Sequence, residues 1–262
     1  MKVIISLTTI PSRLKDENEL GIKSCIDSLV NQSYEDYEIH FNIPKINKKT
    51  GEEYVIPDWL NSYNDKLKIF RTEDYGSITK IVPTLLREEN PDSIIIVCDD
   101  DLVYHEDMVA EQVTNQSKFT FDAAVGYDGM SLKKPIYGDV RDYYFTSCKQ
   151  NGEVKVLQGY KTVSYKRKYF DQDFFEDFID KSWADDIVLS AYMASRGVCK
   201  MVTFHKDDAE FDTLKDWQER GGVETFPVLK HTHHEQKEGC NLFRSEGVSQ
   251  DNPFLWKFID GR

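Results

Sequence analysis

The chain has 262 residues, of which 40% are hydrophobic and 13% aromatic, so it is long and apolar enough to fold around a core. Its formal net charge of −13 argues against a nonspecific nucleic-acid binder, which needs a basic face. No stretch reaches the ~18 consecutive apolar residues of a membrane-spanning helix, so we expect no membrane span.

The five cysteines lie far apart and form no C-x-x-C pair. Their odd number and wide scatter predict reduced thiols, as in a cytoplasmic protein. The apolar run after Lys2 is too short for the hydrophobic segment of a signal peptide. Because the sequence contains neither a repeat nor a linker-like segment, we expect a single domain.

Strands and helices alternate in the first part of the chain. Residues 2–7 are β-branched and apolar, which predicts a buried strand, and apolar side chains at helical spacing predict a helix over residues 20–29. Two further strands are expected at residues 37–44 and 66–72, a helix at 77–90 and a strand at 93–100. The order β-α-β-β-α-β predicts an α/β domain with a mostly parallel sheet.

The second part of the chain has weaker periodicity. Glycine-punctuated strands or turns are predicted at residues 123–132 and 154–170, and helices at 170–179 and 183–197. The later helix ends at Arg196-Gly197, a last-turn cation followed by a C-cap glycine. An apolar run that leads into a polar loop predicts a final strand within residues 224–235.

Three consecutive carboxylates, Asp99, Asp100 and Asp101, follow the predicted strand in the segment "IIIVCDDDLVY". In an open α/β sheet, ligands bind beyond the carboxyl ends of the strands. Clustered carboxylates stay ionised when a divalent cation neutralises them, and hard oxygen ligands suit Mn²⁺ or Mg²⁺. The alternative is a solvated acidic turn that only ends the strand.

A second acidic group, Asp185 and Asp186, stands at the start of a predicted helix. One interpretation is structural, because Ser182-x-x-Asp185 matches a capping box and acids favour a helix N-terminus. The functional interpretation is a general base that takes a proton from an attacking hydroxyl.

His231 and His233 belong to a histidine cluster that follows an apolar run. If the strand continues, alternate positions point to the same side, and neutral imidazole is an acceptable Mn²⁺ ligand beside carboxylates. The alternative is that these histidines are structural.

Polar residues also follow the first predicted strand, where hydroxyls and a guanidinium could hold a nucleotide base and phosphate: Thr8, Thr9, Pro11 and Arg13. A plain turn with a helix cap is equally compatible with this pattern. Lys80, near a predicted helix start, could contact a donor phosphate as a point charge or could simply be exposed. Gly76 lies in a turn that could bring backbone close to the donor.

Taken in order, these motifs resemble those of nucleotide-sugar-dependent glycosyltransferases of the GT-A fold, nearest the family 2-like enzymes. The resemblance is carried by "KVIISLTTIPSR", "DYGSITKIVPTL", "IIIVCDDDLVY", "VLQGYKTVSYKRKYF", "WADDIVLSAYMASRG" and "FPVLKHTHH". It implies one Rossmann-like α/β domain with a mostly parallel central sheet flanked by helices. Residues 1–104 would form the nucleotide-sugar-binding half, and residues 105–262 the acceptor-binding half with a C-terminal loop.

The resemblance also implies roles for the acids. Asp99 would contact ribose or donor sugar and Asp101 would bind Mn²⁺ or Mg²⁺, although Asp100 could exchange roles with either. His231 or His233 would assist the metal. Asp186 would be the base, and Asp185 would orient acceptor hydroxyls.

One position departs from the family pattern. These enzymes usually place an aspartate after the second strand to hold the nucleotide base, and here Asn42 is the nearest polar equivalent.

We therefore predict metal-dependent transfer of a sugar from a nucleotide-diphosphate donor to a hydroxyl of a glycan or glycoprotein acceptor, with inversion. One rival is a sugar nucleotidylyltransferase, but this enzyme would need a glycine-rich basic loop where the chain has "TTIPSR". The other rival is a sugar- or nucleotide-binding module, which needs no base.

Overall fold

A computed structural model of the chain describes residues 1–15, 22–63, 65–133, 144–147, 151–181, 184–203 and 258. The described strands, in chain order, are β1 Val3–Leu7, β2 Glu38–Pro44, β3 Leu67–Thr72, β4 Ile94–Val97, β5 Ala123–Gly126, β6 Gly129–Lys133, β7 Tyr144–Ser147, β8 Gly152–Glu153, β9 Val156–Leu157, β10 Val163–Lys166 and β11 Cys199–Val202. The α-helices are α1 Pro11–Leu14, α2 Ile22–Val30, α3 Val82–Arg87, α4 Met108–Lys118 and α5 Asp185–Ser195.

Eight of these strands form the central sheet, in the order β3-β2-β1-β4-β10-β5-β11-β8. The pairs β3–β2, β2–β1, β1–β4 and β5–β11 are parallel, whereas β10 runs antiparallel to both β4 and β5. Strands β7, β6 and β9 form a separate three-stranded sheet. The predicted mostly parallel sheet is therefore confirmed, and the antiparallel β10 joins its two parallel parts.

The central strands of the sheet are buried on both faces, as the uninterrupted apolar sequence of β4 predicts. Ile94 and Ile96 belong to one core cluster, which also contains the apolar side chains of α2. Ile95 and Val97 belong to the other, which also contains those of α3 and α5. Because successive side chains of a strand point to opposite faces, one strand supplies both cores.

Two predicted helices differ in detail from the observed ones, and one predicted strand stays untested. The helix expected at residues 77–90 is divided into a 3-10 helix, Gly76–Lys80, and α3. The division falls at Ile81, whose φ of −122° is not helical, and Pro83 occupies the first turn of α3, where its missing N–H costs nothing. The helix expected at residues 170–179 contains a π-helical turn, Phe174–Phe178, and the strand expected within 224–235 lies outside the described residues.

Several observed elements, among them β7, α4 and β11, are absent from the sequence-based prediction. Of these, α4 and β11 extend the central sheet and its helical cover. Among the helices of the described ranges, none combines the length and the apolar composition that crossing a bilayer requires.

Candidate active site

The three acids that follow β4 lie at the carboxyl end of the parallel strands, beside the loop that follows β1. Asp100 and Asp101 are buried, and the side chain of Asp99 is 26% exposed. The Thr9 hydroxyl donates a hydrogen bond to Asp100. The structure therefore brings the predicted acid triplet and the predicted nucleotide loop together.

Arg13 neutralises two members of the triplet. Pro11 occupies the first turn of α1, and this short helix carries Arg13 towards the end of β4. Its guanidinium contacts Asp100 through Nη1, and its Nη2 lies 3.0 Å from Asp101 Oδ2. Burial raises the pKa of Asp100 to about 6, assisted by the charge of Asp101 and opposed by Arg13.

Lys80 connects the triplet to the second acidic group. Its ammonium forms an ion pair with Asp99, and its Nζ lies 2.8 Å from Asp185 Oδ2. Burial alone would lower the pKa of Lys80, but the charges of Asp185 and Asp99 outweigh it and hold this pKa well above its ordinary value. The exposed-lysine alternative is wrong, because only 8% of the side chain is exposed.

Asp186 lies next to this chain of charges but contacts backbone. Its Oδ1 accepts a hydrogen bond of 2.8 Å from the N–H of Gly159, in the turn between β9 and β10. Burial raises the pKa of Asp186 well above its ordinary value, the like charge of Asp185 adds to the rise, and Lys80 opposes it. A partly buried carboxyl with a perturbed pKa beside a series of charged side chains is typical of an acid–base group.

The helix start does not have the register of a capping box. The N-cap residue of α5 is Ala184, so Asp185 is the first helical residue and not the third, as the box requires. Ser182 itself lies outside the described residues. Both acids of the pair make their side-chain contacts with the site, through Lys80 and Gly159.

Sequence reasoning missed two residues that shape this site. An added Cβ on Gly159 would lie 2.9 Å from Asp186 Oδ1, so the carboxyl packs directly over the glycine. The buried hydroxyl of Tyr104 accepts the N–H of Asp99 at 2.8 Å and lies 3.3 Å from the carbonyl oxygen of Tyr160. The sequence does not indicate which side chain packs on a given glycine. A tyrosine five residues after an acid likewise does not indicate that the two residues form a hydrogen bond.

The remaining predicted nucleotide contacts lie further from the acids. Thr8 donates to the carbonyl oxygen of Asn42 at 2.7 Å, and the side chain of Asn42 is buried against Arg87, whose Nη2 donates to Oδ1 at 2.6 Å. Gly76 has a φ of +72°, which favours glycine, and its N–H donates to Asp74 Oδ1 at 2.8 Å. The structure thus shows neither Asn42 nor Gly76 in contact with the acid triplet.

His231 and His233, the predicted metal ligands, lie outside the described residues. Within the described part of the chain, no three or more His, Cys, Asp or Glu side chains are grouped so that they could hold a metal ion.

Comparison with known proteins finds likeness in structure only. No family model and no curated protein sequence matches the chain. TarS 1-349 from S. aureus in complex with UDP-GlcNAc has a TM-score of 0.51 at 15% identity, over 79% of this chain and 57% of that one. A 4-diphosphocytidyl-2C-methyl-D-erythritol synthase from Anaerococcus prevotii has a TM-score of 0.50 at 13% identity, over 82% and 92%. The mannosyltransferase PcManGT from Pyrobaculum calidifontis, in complex with GDP-Man and Mn²⁺, has a TM-score of 0.48 at 16% identity, over 78% and 54%.

The chain therefore spans little more than half the length of the two glycosyltransferase structures and most of the length of the synthase. At these identities the likeness shows the fold alone, and it confirms the predicted GT-A-type α/β fold.

Proposed function

We propose that the chain is a glycosyltransferase that moves a sugar from a nucleotide-diphosphate donor to an acceptor hydroxyl, on a glycan or glycoprotein. The observation that carries this proposal is the partly buried Asp186 carboxyl, hydrogen-bonded to Gly159 and next to the series Asp185–Lys80–Asp99. This series joins the start of α5 to the end of β4, where ligands of open α/β sheets bind.

Asp186 is the base in this mechanism. Its raised pKa makes its ionised form a strong proton acceptor, which suits removal of the proton from a sugar hydroxyl. The acceptor oxygen then forms a bond to the anomeric carbon as the bond from that carbon to the diphosphate oxygen breaks. Because the base and the leaving diphosphate would lie on opposite sides of the sugar, the configuration is inverted.

The ion pair between Asp185 and Lys80 distinguishes the two neighbouring acids. Lys80 neutralises Asp185 directly, which leaves Asp186 as the acid of the pair without an ion-pair contact in the described residues. Asp185 then orients the acceptor rather than taking its proton.

The donor diphosphate is placed at the acid triplet. Asp99 and Asp101 offer the hard carboxylate oxygens that Mn²⁺ and Mg²⁺ prefer as ligands, so the ligand atoms at the end of β4 fit a divalent ion. Such an ion would share these carboxylates with Lys80 and Arg13, and His231 or His233 would be a further ligand. When bound, a divalent ion supplies Lewis-acid stabilisation of the departing diphosphate.

A donor screen tests the proposal. The full chain is incubated with UDP-, GDP- and CDP-sugars in Mn²⁺, and release of the nucleoside diphosphate is measured. We expect release from one donor class and its loss in Asp186→Asn. Absence of release from every donor, or equal release by the variant, would contradict the proposal.

Calorimetry of nucleoside diphosphate binding, with Mn²⁺ and then with EDTA, tests the metal separately. We expect weaker binding in EDTA. Equal affinity would remove the metal from the proposed mechanism.

A nucleotidylyltransferase is the second candidate, because the chain spans 92% of the Anaerococcus prevotii synthase but 57% of TarS. Against it, the loop "TTIPSR" has no glycine to wrap a triphosphate. Incubation with CTP and a sugar phosphate distinguishes the two functions, since only a nucleotidylyltransferase would release pyrophosphate.

A further inference from the structure

A cluster of buried polar side chains lies beside Lys80, between β1, β2 and α3. Ser6, Asn42 and Thr84 are each fully buried. Arg87 reaches the cluster from the surface, with its guanidinium carbon 3.8 Å from the centre of the Phe70 ring. Burying this many polar groups is costly unless they bond one another, and these do.

The orientation of the Asn42 amide follows from its partners. Arg87 carries only donors, so the atom that it contacts at 2.6 Å must be the amide oxygen. The amide nitrogen is then directed at Thr84 Oγ1 at 3.0 Å, Ser6 Oγ at 3.2 Å and the carbonyl oxygen of Lys80 at 3.4 Å.

The Lys80 carbonyl is the shared end point of the cluster. Ser6 donates its hydroxyl to this carbonyl and lies 2.6 Å from Thr84 Oγ1. The backbone of Lys80 is therefore tied to β1 through Ser6 and to β2 through Asn42. Beyond this backbone, the Lys80 ammonium contacts Asp99 and Asp185.

We infer that Asn42 is a positioning residue that holds Lys80 between the two acidic groups, and not a contact to the nucleotide base. The role requires a primary amide, because the group must accept from Arg87 and donate towards the Lys80 carbonyl. A carboxylate satisfies the first contact and fails the second. The activity measurement below rests on the proposed function, but the positioning of Lys80 does not.

Asn42→Asp separates the two roles, since it introduces the aspartate that the resembling glycosyltransferases carry. A base contact predicts that nucleotide affinity is kept or raised. If Asn42 instead positions Lys80, the Lys80 side chain should leave its place between Asp99 and Asp185 and become accessible to solvent. Trace acetylation with acetic anhydride, quantified at each lysine by mass spectrometry, measures this release. We expect the labelling of Lys80 to rise about tenfold, the change expected when one hydrogen bond to a buried group is lost.

Two controls distinguish release of Lys80 from general loosening. Lys200 on β11 is also buried, and its labelling should stay unchanged. The matched variant Ser164→Ala removes a buried hydroxyl from another cluster, where Ser164 lies 2.7 Å from Gln112, and it should leave Lys80 protected. Continued protection of Lys80 in Asn42→Asp, or an equal rise at Lys80 and Lys200, would overturn the inference.

Activity supplies the second measurement. If Asn42 acts through Lys80, then Asn42→Asp lowers kcat in the native background but has no further effect in Lys80→Met. Equal effects in both backgrounds, or a loss confined to one nucleotide base, would assign Asn42 to donor binding instead. If Lys80 is released but the native chain turns over no donor, the positioning stands and the proposed function fails.

Discussion

The acid triplet after β4 and the acid pair at the start of α5 hold their negative charge in different ways. Every member of the triplet contacts a cation of the chain, Asp99 through Lys80 and the other two through Arg13. The pair is divided, because Lys80 contacts Asp185 while Asp186 accepts a backbone N–H.

This comparison shows that neighbouring acids acquire different chemistry from their tertiary partners. An adjacent ammonium or guanidinium favours the ionised form of a carboxylate, although burial still raises the pKa of Asp100 to about 6. A partly buried carboxyl without such a partner, as at Asp186, retains its proton to higher pH and can exchange it. In the proposed function, the triplet would bind the donor and Asp186 would transfer the proton.

The largest expected effect comes from Asp186→Asn. We expect transfer to fall by about 10²–10⁴-fold with nucleoside diphosphate affinity unchanged, because the amide keeps the shape but cannot take the proton. We also expect the variant to unfold at a higher temperature at neutral pH, since it removes a carboxyl whose ionisation is easier in the unfolded state than in the fold. Asp185→Asn is the control and should lower stability by removing the Lys80 ion pair. Near-native turnover in both variants would show that neither Asp186 nor Asp185 acts as the base.

Removal of Lys80, which touches both acidic groups, tests whether they depend on one cation. Lys80→Met leaves Asp99 and Asp185 without their ion pairs, and we expect a loss of about 3–5 kcal/mol in the free energy of unfolding.

The variant Arg13→Met tests the other cation. We expect its loss in the free energy of unfolding to be smaller at low pH than at neutral pH, because Asp100 has a pKa of about 6 and can take up a proton. Urea unfolding of both variants measures this. If Arg13→Met lowered the free energy of unfolding equally at every pH, protonation of Asp100 would not compensate for the missing guanidinium.

Gly159→Ala tests whether the backbone contact places Asp186. The new methyl group would lie 2.9 Å from Asp186 Oδ1 and displace it, so we expect transfer to fall by about 10²-fold with the donor Kd unchanged. Gly129→Ala is the matched control, because its methyl group would be equally crowded, 2.8 Å from the side chains of Val154 and Val202 and 2.9 Å from the carbonyl oxygen of Val156, none of which is an acid. It should lower stability and keep turnover per folded molecule, whereas equal loss of turnover in both variants would contradict the role of Gly159.

The smallest effect is in the dependence of stability on pH. Because the pKa of Asp186 is raised on folding, the folded state holds a proton that the unfolded state has lost. Stability therefore falls as pH rises above the ordinary value of 3.8, by up to about 1.4 kcal/mol per pH unit, until Asp186 ionises. We expect Asp186→Asn to flatten this slope over the whole interval and Asp100→Asn to flatten it only up to about pH 6. A native slope in Asp186→Asn, measured by urea unfolding at several pH values, would show that this pKa is not raised.

The first half of the fold was predictable because its strands and α2 carry strong apolar patterns that bury both faces of the sheet. Helix α4 was not, because its inward side includes the buried polar residues Gln112, Asn115 and Gln116. Gln116 donates to Ser164 Oγ at 3.0 Å, so a polar cluster in this helix–sheet contact replaces the apolar repeat that a sequence can show. A hydrogen bond between residues 48 positions apart leaves no periodic signal.

By itself, the sequence determined that acids follow a buried strand, that a second acidic pair starts a helix, and that the chain folds as an α/β sheet. These features depend on local patterns of polarity and on the burial that such patterns impose. Only the tertiary structure decided which cation each acid meets, that Lys80 joins the two groups, and that Gly159 lies against Asp186. Those contacts join residues from separate elements, and burial, which sets their charge, exists only once the sheet has brought them together.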